Sequence, residues 1–155
     1  MEKLASCDIE PCDVTVQVGP RALKAKVRSG NHTFVVDEPV NLGGEDTGPH
    51  PYDLILSALG SCTAITLRMY ANRKQWPLEK IETRLQYFTR EKTFATEADF
   101  KEIQEIIMLV KLSGNLSEEQ VQRLTVIAGK CPVHQSLLPA FPITMKVEMA
   151  APDFQ

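Results

Sequence analysis

At 155 residues the chain is long enough for one compact domain with a real core, and short for two. Its apolar (43%) and charged (24%) fractions are those of an ordinary globular protein. A formal net charge of −3, with no Lys/Arg run, argues against a nucleic-acid binder. The longest apolar stretch, LILSALGSCTAITL at 54–67, is bounded by Asp53 and Arg68 and falls short of the ~20 residues that cross a bilayer, so no membrane partner is expected. MEKLASCDIEPCD at the start carries acids and no apolar h-region, which argues against a secretory signal and for a cytoplasmic protein. Cys7, Cys12, Cys62 and Cys131 would then sit in a reducing compartment, where chemistry or metal binding outranks structural disulfides.

Residues 1–12 are expected to be a flexible extension of a single domain spanning 1–155. Three strands follow, at 12–19, 22–29 and 32–38. In the first, Val14, Val16 and Val18 alternate with Thr15 and Gln17, the pattern of a sheet with one solvated face. Gly19-Pro20 and Ser29-Gly30-Asn31 supply the turns of an antiparallel meander. PVNLGGEDTGPHP at 39–51 reads as a loop whose last proline suits the first turn of a helix, with Asp53 complementing its dipole. That helix is predicted to reach about Lys74. It is apolar around nearly its whole circumference, which predicts burial in a core or across a subunit interface. Strands at 78–90 and 100–114 come next, the second with a spacing that also fits a helix. A helix over 116–131, with Ser117 as N-cap, and a strand at 143–149 complete the order βββ-α-ββ-α-β, an α+β fold of antiparallel sheets.

Cys62 sits within the first helix among small residues, ALGSCTA, where another backbone or a substrate can come close. Taken alone, a cysteine on an apolar helix is more often an inert core thiol. Cys131 precedes Pro132, which disfavours helical geometry at 131 and suits the first position of a new helix, PVHQSLL. Cys131 is therefore either the N-cap of that short helix, where thiolate is stabilised and Lys130 adds positive charge, or part of a proline kink in a packed pair. His134 would share its face and could hold the thiolate or bind a metal. A closed zinc site needs two further ligands, however, and nothing in the spacing of Cys62 or His50 supplies them, so no metal is assigned. Cys7 and Cys12 form a C-x4-C pair that matches no metal or redox signature.

DEPVNLGGEDTGPHPYDLILSALGSCTAITLRMYANRKQWPLEKIE, followed by LSEEQVQRLTVIAGKCPVHQSLL, resembles the OsmC/Ohr family and within it the OsmC-like branch. The resemblance runs from about residue 13 onward. It implies an OsmC-like fold, an intertwined homodimer, and a thiol peroxidase that reduces organic hydroperoxides in oxidative-stress defence. By the same resemblance Cys62, on a long central helix, and Cys131 face each other in a pocket at the dimer interface. Cys62 attacks the peroxide, and a cellular dithiol restores the pair without a metal, flavin or nucleotide cofactor. The chain departs from the family where its hydroperoxide reductases carry a glutamate: Tyr52 stands there, and Asp53 lies one residue on, about 100° further round a helix. Arg21 and Arg28 are candidates for the family's active-site arginine, but neither sits in a matching motif. Local chemistry alone nominates Cys131 as the more acidic thiol. A competing reading is a non-enzymatic module that binds a small hydrophobic ligand with bystander thiols.

Overall fold

A computed structural model describes residues 13–20, 22–92 and 101–151. The expected amino-terminal extension, Cys7, Cys12 and Arg21 lie outside the described residues. The chain divides into two compact units, Met1–Leu54 and Ile55–Gln155.

In the first unit β1 (Val14–Val18), β2 (Ala25–Ser29) and β3 (His32–Val36) form the antiparallel meander that the alternation predicts. The register sets Val16 beside Val27 and Val27 beside Phe34. One face therefore carries Val14, Val16, Val18, Val27, Phe34 and Val36, and the other carries Thr15, Gln17, Lys26, Arg28 and Thr33. Gly30, at φ +54, takes the first position of the two-residue turn between β2 and β3, where an L side chain would be strained. Val27 and Val36 are buried, whereas Val16 and Val18 remain 58% and 59% exposed. The second strand starts at Ala25 rather than 22, leaving Leu23 outside it.

Asp37, placed by sequence at the end of the third strand, is instead the anchor of the following loop. It is buried and accepts from the backbone N–H of Glu38 (2.9 Å), Glu45 (3.3 Å) and Thr47 (3.1 Å), and from the Thr47 hydroxyl (2.7 Å). The Thr47 hydroxyl is the main cause that holds its carboxyl below the usual range. A 3-10 turn at Val40–Leu42 interrupts what reads as plain loop in the sequence.

The second unit contains β4 (Leu78–Lys92), β5 (Lys101–Gly114) and β6 (Ile143–Met149) in the order β4-β5-β6. β5 is a strand, so the helical alternative for it falls away. β4 and β5 pair antiparallel, but β5 and β6 pair parallel, a departure from the expected all-antiparallel arrangement. The cause is the connection: α2 (Glu118–Ala128) and α3 (Pro132–Leu137) form a crossover that returns the chain in the same direction. Ser117 caps α2 through a capping box with Gln120.

α1 (Pro51–Lys74) supplies the core with a stripe at helical spacing, Leu59, Thr63, Leu67 and Ala71. Leu59, Leu67 and Ala71 join Ile106, Met108, Val110 and Leu112 of β5 and Leu124 and Ala128 of α2 in one cluster, each of them fully buried. By length and hydropathy alone α1 would pass for a membrane span, yet this stripe gives it the role of a core helix. The sequence predicts burial in a core or across a subunit interface, and within the single chain Ile65 and Met69 are 59% and 66% exposed. One helix cannot turn all its faces to one core.

Candidate active site

Cys62 and Cys131 are both free thiols, and their side chains are hydrogen-bonded to one another. The fold therefore brings together two cysteines that stand sixty-odd residues apart in the chain. Cys131 is fully buried and Cys62 half-buried, so Cys62 is the thiol that an incoming molecule can reach.

Each cysteine is positioned by a distinct feature of its element. Gly60 lets α1 lie close against β4 just ahead of Cys62. A Cβ there would come within 2.8 Å of the Leu85 Cδ1 and 2.9 Å of the Thr83 Oγ1. Cys131 is the N-cap of α3, at φ −56° and ψ 130°, with Pro132 in the first position, so the capping alternative holds over the kink.

The electrostatics of that cap differ from the sequence expectation. The Cys131 side chain makes no capping hydrogen bond. The backbone N–H of Val133, in the first turn of α3, acts instead on the Cys62 thiol. Burial pushes the Cys62 thiol up, and the hydrogen bond with Cys131 pushes it the same way. The Val133 N–H and the Thr66 hydroxyl act in the opposite direction, because a donor favours thiolate. Sequence reasoning passed over Thr66, although its spacing of four residues from Cys62 on a helix was a usable signal.

His134 is 6% exposed and its Nδ1 has no hydrogen-bond partner. Burial pushes its pKa below the ordinary value, which keeps the imidazole neutral. It is not among the groups acting on Cys62. Among the described residues no three His, Cys, Asp or Glu side chains gather as a metal site.

Tyr52 and Asp53 lie in the first turn of α1, within the first unit. The Asp53 carboxylate is exposed and accepts the His50 N–H at 3.1 Å, while the Asp53 N–H donates to the His50 carbonyl at 2.9 Å. Its charge thus serves the start of the helix. The Tyr52 N–H donates to His50 Nδ1 (3.2 Å), and the two rings stack 5.8 Å apart. That hydrogen bond leaves the His50 proton on Nε2, which faces Glu38 Oε2 at 3.0 Å. Among the arginines, Arg28 is exposed on the polar face of the first sheet. Arg68 donates to the carbonyl oxygens of Leu78 and Glu79, fastening the start of β4.

Residues 43–146 match the family model described as OsmC-like protein. Among solved structures, the chain is similar to an OsmC-like protein from Mycoplasma pneumoniae, at 19% identity over 92% of this chain and 99% of that one, with a TM-score of 0.71. It is similar also to the organic hydroperoxide resistance protein OhrB of Bacillus subtilis, at 20% identity over 88% and 97% of the two chains, TM-score 0.64. An organic hydroperoxide resistance protein OsmC from Legionella pneumophila gives 16% identity over 92% and 98%, TM-score 0.66. These likenesses establish a shared α+β fold. A search of curated protein sequences gives no match.

Proposed function

Because the chain belongs to the OsmC-like protein family, we propose that it is a thiol peroxidase of oxidative-stress defence, reducing organic hydroperoxides through Cys62 and Cys131. The single observation that carries this reading is the proximity of two free thiols that influence one another's ionisation, one half-exposed and one fully buried. The organic hydroperoxide resistance proteins of Bacillus subtilis and Legionella pneumophila, which share the fold, add weight to it.

The Cys62 thiolate attacks the distal oxygen of the hydroperoxide. An S–O bond forms, the O–O bond breaks, and the departing alkoxide takes a proton to leave as an alcohol. Cys62 is then a sulfenic acid. The Cys131 sulfur attacks it, its proton leaves with the hydroxyl as water, and a disulfide results. A cellular dithiol returns the pair to two thiols and is itself oxidised to a disulfide. No step in this sequence calls on a metal, flavin or nucleotide.

The same reading places the protein in the cytoplasm as a homodimer. The exposed Ile65 and Met69 of α1 and the open valine face of the first sheet support the second point, since apolar groups gathered on one face favour association. Light scattering that gives about 17 kDa, the mass of one chain, at micromolar concentration would dispose of the dimer.

The decisive experiment is turnover of cumene hydroperoxide, against hydrogen peroxide, with a dithiol donor. The expected result is preferential reduction of the organic peroxide and a Cys62–Cys131 linkage on peptide mapping. An oxidation rate no faster than that of a free thiol of matched pKa would refute the assignment. A second reading rests on Tyr52, where the family's reductases carry a glutamate: a pocket for a small hydrophobic ligand with bystander thiols. Replacing both cysteines with serine would leave such binding intact and would abolish peroxide turnover.

A further inference from the structure

We propose that Tyr70, Arg73, Lys74 and Arg123 form an anion-binding site at the C-terminal end of α1, suited to a compact, multiply charged oxyanion of the phosphate type. Tyr70 lies eight residues along α1 from Cys62, roughly 12 Å of helix, and the site stands whether or not the peroxidase reading holds.

Arg73 and Lys74 stand in the last turn of α1, where cations complement the negative end of a helix. That ordinary pattern needs no ligand. Arg123 does not belong to it. It comes from α2, and its Nε donates to the Tyr70 phenol oxygen at 3.0 Å. Its guanidinium carbon lies 5.8 Å from the Tyr70 ring centroid, and that of Arg73 lies 5.4 Å from the same centroid. Two guanidinium groups from two helices are thus gathered at one aromatic ring, which attracts both. Trp76 meets that ring edge-on, 5.5 Å between centroids, and steadies it.

The chain as a whole carries a net charge of −3, yet here cations collect without acids. Among the described residues, none of Arg73, Lys74 and Arg123 has a carboxylate within ion-pair distance. The charges that act on the Tyr70 phenol are those of Arg123, Lys74 and Arg73, and the Arg123 hydrogen bond is the main cause that holds it below its ordinary pKa. Like charges brought this close repel one another, and a bound anion would relieve that repulsion. Arg123 uses only its Nε on Tyr70, which leaves its two Nη groups as donors, and the phenol that accepts there still has its own hydrogen to donate. Guanidinium forks match the oxygens of a phosphate group, and Lys74 adds a point charge. A singly charged carboxylate would satisfy one fork. Three cations call for an anion of higher charge.

Trp76 is the chain's single tryptophan and packs on Tyr70, so its emission reports on the site. The full chain is titrated with pyrophosphate, inorganic phosphate and acetate at constant ionic strength, with calorimetry to give the affinities. The expected result is saturable binding of pyrophosphate and of phosphate, with acetate at least about tenfold weaker than either. Pyrophosphate affinity should fall at least about tenfold in Arg123→Gln and about threefold in Tyr70→Phe, which keeps the ring and removes the hydroxyl. Lys146→Gln controls for net charge: Lys146 is exposed and alternates along β6 with Met145 and Val147, which pack on the core, so it lies on the opposite face of that sheet. Its affinity should stay within about twofold of wild type. No saturation by pyrophosphate at about 10 mM overturns the proposal, as does wild-type affinity in Arg123→Gln, equal weakening in Lys146→Gln, or acetate that binds as tightly as phosphate. Should Arg123→Gln fail to fold, Lys74→Gln, at an exposed side chain, is measured by the same criteria. Binding requires no peroxide. A protein inert to cumene hydroperoxide that still binds pyrophosphate through Arg123 would refute the peroxidase reading and leave this inference standing.

Discussion

At Cys131 a handful of adjacent residues decides the geometry: α2 ends at Ala128, Pro132 fixes the first position of α3, and the cysteine between them becomes the cap. At Cys62 nothing adjacent decides it. Its place depends on α1 lying against β4 through Gly60 and on α3 arriving from far along the chain with the Val133 N–H. The comparison teaches that the chain fixes its buried thiol locally and tunes its accessible thiol through tertiary contacts. The chemical consequence reverses the sequence argument, since the helix start created by Cys131-Pro132 serves the other sulfur.

The largest test of this division of labour removes each thiol in turn. Cys62→Ser should lower peroxide reduction by at least about a thousandfold, the loss expected when a nucleophile is deleted. Cys131→Ser should retain a single oxidation of Cys62 at near wild-type rate but lose turnover with the dithiol. Stopped-flow oxidation followed by mass mapping separates the two. If Cys131→Ser lost the first oxidation and Cys62→Ser kept it, the roles would be exchanged.

A second measurement follows from the raised pKa of Cys62. Ionisation of the thiol increases with pH, and its folded pKa lies above the ordinary value. The first oxidation should therefore accelerate about tenfold per pH unit through neutrality, without a plateau until well into alkaline solution. A plateau already below pH 7 would mean that the donors outweigh burial.

What could be read from the sequence follows the same line between local and distant causes. The meander of β1–β3, the extent of α1 and the capping of α2 by Ser117 are local patterns, and each is found. The Cys131 cap is equally local. Parallel pairing of β5 with β6 was not legible, because it depends on the path of α2 and α3 rather than on any alternation. Asp37 looked like the end of a strand because its hydrogen bonds reach partners as far as Thr47. The half-exposed state of α1 was hidden for another reason: a helix apolar on every face does not say which faces this chain will cover. The pairing of Cys62 with Cys131 came from family resemblance, and the Thr66 and Val133 donors came from neither source.

Gly60→Ala would sharpen the account of Cys62 at a smaller scale. The added methyl gains helix propensity, but it presses on Leu85 and Thr83, whose side chains can move only in part. A net loss of about 1 kcal/mol is expected from the urea midpoint, with a several-fold slower disulfide formation if α1 shifts from β4. Unchanged disulfide kinetics at reduced stability would separate the packing of the helix from the placement of its thiol.

The smallest expected effect concerns His134, on the locally determined side of the comparison. Its imidazole is buried and its pKa lies below the ordinary value near 6.5, the cause being desolvation. In the unfolded chain the same group takes up a proton as pH falls through 6.5, while in the folded protein it resists until lower pH. The unfolded state then binds more protons, so the contribution to stability is complete above about pH 6.5 and declines between there and the depressed folded pKa. Urea midpoints at pH 7.5 and 5.5 should fall on acidification in wild type and fall less in His134→Gln, which keeps a polar side chain without the titration. Cys62 oxidation near neutral pH should be unaffected by that change, because His134 does not act on the sulfur. A His134→Gln variant with normal stability and a displaced pH profile for Cys62 oxidation would bring the histidine into the chemistry.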